Sequence, residues 1–287
     1  MDMETGSERA AEEPPRQPGI IGVFNRAAST YDHIGPRVFS HFGQRLVDVA
    51  HLAPGAHVLD VATGRGAVLF SATTQVGPHG RVIGIDLSGA MVQETAAELQ
   101  RAAWPQAEIR QMDAAQLDFP DASFDAVLCG FALWFFSQPA RALQEWFRVL
   151  KPGGRMGLTT WAENCPFVTW QREALRSYVQ PPGPQAHADR EAPRFDTPAT
   201  LEAALQQAGF ERMQILVEEG EFVHATDEEV WARLWSGGPR RQLEHMTGPV
   251  LDQVKRDVLQ TVQVFKQPDG IHLRGRALCV LGDKPHR

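Results

Sequence analysis

A chain of 287 residues, 43% hydrophobic and 22% charged, is long enough for one large domain with a full core. A formal net charge of -7, the lack of any long basic run and three scattered cysteines (Cys129, Cys165, Cys279) argue against a nucleic-acid surface, a structural zinc and a disulfide framework. No stretch is apolar for long enough to span a membrane, and the acidic start Met1-Asp-Met-Glu-Thr is unlike a secretory leader, so a cytoplasmic protein is expected.

Residues 1–19, with Glu12-Glu-Pro-Pro-Arg-Gln-Pro18, read as a disordered tail. Two short helices follow over residues 20–50. Gly22–Tyr31 is the first. In the second, Arg37–Ala50, the residues Phe39, Phe42, Leu46, Val49 and Ala50 share one face. Pro54-Gly55 ends this preamble. Val58-Leu-Asp-Val61 is then an apolar run with one acid, Asp60. It leads into the turn Ala62-Thr-Gly-Arg-Gly66 and a helical stretch from Ala67. Strand, glycine turn and helix open a βαβ unit. Glycines let the backbone approach a ligand closely, and the helix start offers free N–H groups above the turn.

Arg81-Val-Ile-Gly-Ile-Asp86 reads as the second strand. It ends in an acid about twenty residues past Gly66, the place of a carboxylate that accepts ribose hydroxyls. A helix to about Ala102, strands Ala107–Asp113 and Phe124–Gly130, a helix Ala140–Leu150 stopped by Lys151-Pro-Gly-Gly154, and a strand Arg155–Trp161 continue the alternation. Such alternation predicts a doubly wound parallel sheet that binds ligands at the carboxyl ends of its strands, where Asp60, Gly64, Asp86, Asp113 and Gly130 all fall.

The second half is less regular. Thr169–Val179 reads as a helix, and the proline-rich run from Gln180 as a loop placed to move over a site. Thr197–Gly209 is a helix with Thr197 as its cap, Pro198 in its first turn and Gly209 past its end. A strand at Met213–Val217 continues weakly to Val223. A helix Asp227–Trp235 capped by Asp227, a mostly helical run Pro239–Phe265 and a strand Ile271–Leu281 complete the chain. This reading gives a helical lid (20–50), a core (51–221), a helical insertion acting as a substrate cap (222–268) and a closing strand (269–287).

Five motifs in order carry a resemblance: Val58-Leu-Asp-Val-Ala-Thr-Gly-Arg-Gly, Val82-Ile-Gly-Ile-Asp-Leu-Ser with Met91, Met112-Asp-Ala, Phe119-Pro-Asp-Ala-Ser-Phe-Asp-Ala-Val and Val149-Leu-Lys-Pro-Gly-Gly-Arg. Together they resemble class I S-adenosylmethionine-dependent methyltransferases. Phe24-Asn-Arg-Ala-Ala-Ser-Thr-Tyr31-Asp is similar to the N-terminal lid of the ubiquinone/menaquinone C-methyltransferase-like branch. The resemblance covers about residues 20 to 160. It implies an α/β, Rossmann-like fold with a mainly parallel seven-stranded sheet whose last strand runs antiparallel, and S-adenosyl-L-methionine as cofactor. Ala62, Thr63, Gly64 and Gly66 would sit against the methionine moiety, with Asp60 near its amino group and Tyr31 reaching in from the lid. Asp86 would hold the ribose hydroxyls, and Leu87 and Met91 would flank the adenine. Asp113 with Ala114 would meet the adenine amino group, and Gly130 and Phe131 would line the methionine side.

Methyl transfer is an in-line displacement whose electrophile arrives with the cofactor, so the protein aligns the partners and excludes water. A base is required only where the nucleophile has to lose a proton. His33, His41, Glu163 and His224 lie near the expected mouth. Glu163, directly after the fifth strand, and His33, beside the lid, are the preferred catalytic candidates. Aromatic residues cluster after strands four and five and on the late helix. Phe24, Trp134, Trp161, Trp231 and Trp235 are candidates for an apolar substrate pocket. Arg194, Arg240 and Arg241 are available to an anionic substrate group, although charged surface is the commoner role. No metal is expected, because no set of ligating side chains follows strand four. The reading is methyl transfer to oxygen or carbon of a small, largely apolar metabolite of specialised or quinone/isoprenoid metabolism, with a homodimer left open. The competing reading is a cofactor-binding module that transfers no methyl group, or a partner subunit on the same fold. A nicotinamide oxidoreductase is disfavoured by the missing third glycine.

Overall fold

The computed structural model describes residues 19–179 and 194–286. The polar tail before residue 19 and the proline-rich loop over 180–193 lie outside the described residues.

The helices are α1 (Gly19–Ala27), α2 (Val38–Ala50), α3 (Ala67–Val76), α4 (Gly89–Ala102), α5 (Pro139–Val149), α6 (Pro166–Leu175), α7 (Pro198–Gln207), α8 (Asp227–Trp235), α9 (Arg240–Leu243) and α10 (Gly248–Thr261). The strands are β1 (His57–Val61), β2 (Arg81–Asp86), β3 (Ala107–Gln111), β4 (Phe124–Gly130), β5 (Leu150–Trp161), β6 (Glu211–His224), β7 (Lys266–Gln267) and β8 (Gly270–Asp283). They form one sheet in the order β3-β2-β1-β4-β5-β8-β6, with the two-residue β7 on β8. Pairing is parallel from β3 through β5, and β8 runs antiparallel to both β5 and β6. The sheet is therefore mainly parallel and doubly wound, as the motifs imply, with a short eighth strand that the sequence does not announce.

The central strands are apolar runs because both their faces are covered. Side chains alternate across the sheet. Val58, Val82, Ala126 and Leu128 enter one core; Leu59, Val61, Ile83, Ile85, Val127 and Cys129 enter the other. The first core is closed by Leu46 of α2, Leu69 of α3 and Leu99 of α4. The second is closed by Leu143 and Trp146 of α5 and by Leu201 and Leu205 of α7. A third core joins Trp170 of α6, Val230 and Leu234 of α8, Leu243 of α9 and Val254 and Val258 of α10 to Ile271 and Leu273 of β8. The helices between β6 and β8 thus bury apolar surface of their own beside the antiparallel edge.

Several boundaries differ from the sequence reading for local reasons. The first helix ends at Ala27 rather than Tyr31. Asp32, at φ 54, turns back toward α2 and accepts the N–H groups of Phe39 and Ser40 at 3.0 and 2.8 Å, so it caps that helix. Helix α6 starts at Pro166, where the ring's fixed φ suits the first helical position, and ends at Leu175. The cap of α8 is Thr226, whose hydroxyl accepts the Glu229 N–H at 3.2 Å. Asp227 is the first residue of the helix instead. Strand β6 is one continuous element of 14 residues, longer at both ends than the Met213–Val223 run read from the sequence.

Candidate functional site

The turn after β1 is held open by backbone geometry. Ala62 (φ 52), Gly64 (φ 53) and Gly66 (φ 80) all lie in the left-handed region, and Phe131, just after β4, does too (φ 53). At Gly66 a Cβ would stand 2.6 Å from the Phe70 ring, so the turn into α3 has room only for glycine. Asp86, at the end of β2, accepts the Gly64 N–H and the Ser88 N–H, each at 2.8 Å. One carboxylate therefore ties the turn after β1 to the start of α4, and its remaining lone pairs are free for a ligand.

Above these strand ends lies a cavity of about 130 Å³. Its walls include Tyr31, Ala62, Gly64, Asp86, Leu87, Ser88, Met91, Met112, Asp113, Ala114, Gly130 and Phe131. Leu87, 42% exposed, and the buried Met91 supply apolar walls for a flat ring. Asp113 accepts the Ala115 N–H through Oδ1 at 2.8 Å and so braces its own loop. Beneath the turn, Asp60 is fully buried. Thr63 donates to its Oδ2, and its Oδ1 has no partner among the described residues. Burial pushes the Asp60 carboxyl up to about 7 and also raises Asp86. Carboxylate acceptors for hydroxyls, an apolar slot, and an orphaned buried carboxylate oxygen beneath the turn fit a nucleoside carrying an amino-acid tail.

A second, wider cleft of about 670 Å³ opens beside the first. Ile20, Phe24, Tyr31, Phe131 and Phe135 line both spaces, so the partition between them is almost wholly aromatic. Phe24 meets Tyr31 and Phe135 edge-on at 5.8 and 5.2 Å, Tyr31 stacks on Phe39 at 5.0 Å, and Phe131 packs on Trp161 at 4.3 Å. Farther out the cleft is lined by Trp134, Phe167, Phe195, Arg194, Asp196, Arg233 and Arg241. Burial keeps the Tyr31 hydroxyl protonated far above its ordinary range.

Polar ties join the end of α1 and the residues after it to the core and to α9. Ser88 donates its hydroxyl to Asn25. Arg26 pairs with Glu244, and Arg240 joins the same carboxylate at 2.7 Å. Arg65, inside the glycine turn, donates to the Ala28 carbonyl at 2.6 Å and pairs with Glu98.

Ten of the thirteen expected cofactor residues line the smaller cavity: Tyr31, Ala62, Gly64, Asp86, Leu87, Met91, Asp113, Ala114, Gly130 and Phe131. Asp60, Thr63 and Gly66 stand behind its wall. Phe24, Trp134 and Trp161 line the larger cleft. Trp231 and Trp235 do not. Four residues apart on α8, they face the third core and each other at 6.2 Å, while Val230, Arg233 and Leu234 form the buried face of that helix. Neither preferred base lines a cavity. Glu163 is exposed, its own N–H tied to the Asp196 carbonyl at 2.9 Å, and His33 turns outward to Glu98 at 3.1 Å. His224 is buried beside Glu229 at 3.2 Å and lines neither space; burial lowers its pKa to about 4. Sequence reasoning missed Ile20, Ser88, Met112 and Arg233. The one signal for Arg233 was a basic residue on the apolar stripe of an amphipathic helix.

A family model described as a methyltransferase domain matches residues 59–158. Nocamycin O-methyltransferase of Saccharothrix syringae is 35% identical over 228 residues, covering 76% of this chain and 81% of that protein. The 2-phytyl-1,4-naphtoquinone methyltransferase of Thermosynechococcus vestitus is 32% identical over 210 residues, 68% of this chain and 92% of that protein. Among solved structures, phosphoethanolamine N-methyltransferase 2 of Haemonchus contortus, in complex with S-adenosyl-L-methionine, matches with a TM-score of 0.56 at 15% identity. That match covers 92% of this chain and 57% of that one and is a likeness of fold.

Proposed function

This chain belongs to the S-adenosylmethionine-dependent methyltransferases and methylates a small metabolite, and we propose that its acceptor is an ionised oxygen of a largely apolar molecule held in the larger cleft. The observation that carries this reading is the shared aromatic partition. A donor in the smaller cavity and an acceptor in the cleft meet across Phe24, Tyr31 and Phe131 without crossing open water.

The cofactor supplies the electrophilic methyl group on a sulfonium. The chain's own residues bind and orient. Asp86 takes the ribose hydroxyls, Leu87 and Met91 enclose the base, and Asp113 and Ala114 read its edge. The turn Ala62–Gly66 with Gly130 holds the amino-acid tail, above the carboxyl of Asp60. The aromatic faces of Tyr31 and Phe131 stabilise positive charge near the sulfur.

No described residue lining either space is a histidine or glutamate. Of the lining acids, Asp86 and Asp113 accept backbone N–H groups and Asp196 pairs with Arg194 at 2.6 Å. An acceptor that arrives as an oxyanion suits such a site. Its lone pair forms the new O–CH₃ bond, the methyl–sulfur pair stays on sulfur, and the two opposite charges cancel with no proton released. The acidic balance of the chain supports a cytoplasmic enzyme with no nucleic-acid partner.

The test is incubation with S-adenosylmethionine and a panel of apolar acids, phenols and aliphatic alcohols, with S-adenosylhomocysteine and methylated product measured by mass spectrometry. Turnover is expected for acceptors ionised at the assay pH, with the pH dependence following the acceptor's own pKa. Equal turnover of un-ionised alcohols would contradict the ionised-oxygen reading. Bound cofactor that is never consumed across the panel would favour the non-transferring module instead.

A further inference from the structure

Arg233 is only 7% exposed, yet among the described residues its side chain makes no hydrogen bond and no ion pair. Its guanidinium lies between two rings, 5.7 Å from the centre of Phe39 and 5.3 Å from that of Phe167, and it lines the larger cleft. A buried guanidinium stays charged and offers five donors in a planar fork, so leaving it unpaired is costly. The nearest acid that acts on it is Asp32, whose oxygens are already taken by the Phe39 and Ser40 N–H groups and the Ser40 hydroxyl, at 3.0, 2.8 and 2.7 Å. The other nearby titratable groups are Tyr31, which burial holds in its protonated form, and His224, which burial keeps neutral. The cleft as a whole is electropositive. Among the described residues it carries three arginines (Arg194, Arg233, Arg241) against one acid, Asp196, in a chain of net charge -7.

A guanidinium with no hydrogen bond or ion pair among the described residues, lining an aromatic cleft, is a receptor whose partner comes from outside. We propose that Arg233 binds a carboxylate on the methyl acceptor, so that the enzyme's substrate class is apolar organic acids. This rests on the reading of the larger cleft as the acceptor site. A carboxylate matches the fork with two parallel hydrogen bonds, whereas a neutral ester or alcohol leaves the donors unmet. The flanking rings of Phe39 and Phe167 hold the fork in one plane and cover the apolar body of the acid. Tyr31, stacked on Phe39, links this point to the wall of the smaller cavity, so the anion lies on the donor's side of the cleft.

The probe is 2-naphthoate, compared with its methyl ester and with 2-naphthylmethanol. Each is titrated into the full-length protein saturated with S-adenosylhomocysteine and followed by tryptophan fluorescence, since Trp134 and Trp161 line the cleft. For the wild type, naphthoate is expected to bind at least about tenfold tighter than either neutral analogue, and Arg233→Met to abolish that preference while S-adenosylmethionine affinity stays unchanged. Arg233→Lys should keep part of the preference. Thermal melts without ligand separate a receptor from a structural arginine. Arg233→Met should melt at or above the wild-type temperature, because an unsatisfied buried charge has gone. Equal binding of acid and ester by the wild type, a preference that survives in Arg233→Met, or a large drop in melting temperature would each overturn the proposal. If none of the three probes binds while S-adenosylmethionine still does, the reading of the cleft as the acceptor site falls, and the receptor role falls with it.

Discussion

Asp60 has one oxygen held by Thr63, the other without a partner among the described residues, and a carboxyl raised from 3.8 to about 7 by burial. A carboxyl raised in the folded chain binds a proton that the unfolded chain releases, so it removes stability as pH climbs from 3.8 through about 7. An ammonium group above it favours the carboxylate. Affinity for S-adenosylmethionine should therefore rise from about pH 6 to about pH 8 and then level off. Calorimetry across that range is expected to show the rise in the wild type and a flat profile in Asp60→Asn; an unchanged slope in the variant would remove Asp60 from the account. At this scale the sequence was informative wherever backbone spacing decides position. Asp86, Asp113 and Gly130 fall at strand ends because the strands are short and regular. Glu163 and His33 line neither space because a residue's placement depends on contacts distant in sequence: the Asp196 carbonyl for one, Glu98 for the other. Arg233 was hidden because a lone arginine in a helix normally reads as surface.

Helix α1 is fastened near its C-terminal end by polar ties, one from Arg26 to Glu244 just after α9 and one from Arg65 to the Ala28 carbonyl. Pairing with Arg26 and Arg240 lowers the Glu244 carboxyl from 4.5 to about 2, so its contribution holds at neutral pH and is lost only as pH falls from about 4.5 toward 2. Arg26→Ala should cost the whole molecule about 1 kcal/mol or less, because the pair is partly exposed. Its main effect is expected in hydrogen exchange, where the amides of α1 should exchange faster than in the wild type while those of β1 and β4 are unaffected. Equal protection of α1 in both proteins would show that the tie does not hold the lid. Element types were legible from period and caps, most clearly for Thr197 and Pro198 at α7. Strand β6 was harder to read. Its exposed face carries Glu219 and Glu221, so the sequence shows only its middle as a strand and the pairing with β8 defines its full length. The short β7 carries no sequence signal of its own.

Across the whole molecule, the parallel half of the sheet ends in the smaller cavity, and the larger cleft lies where the lid, the loops after β4 and β5, and α8 converge. The cofactor half was legible because its motifs are local, each a strand end and the turn that follows. The acceptor half was legible only in part, in Phe24, Trp134 and Trp161, because its walls are gathered from residue 20 to residue 242 by packing. The central claim is that the smaller cavity is the methyl-donor site and that Asp86 organises it. The most direct measurement is calorimetric titration of S-adenosylmethionine into the wild type and into Asp86→Asn, which keeps the shape and removes the charge. The wild type should bind one equivalent, and the variant should bind about tenfold to a hundredfold more weakly, the worth of a hydrogen bond to a charged group. Equal affinity in the two proteins would contradict the account.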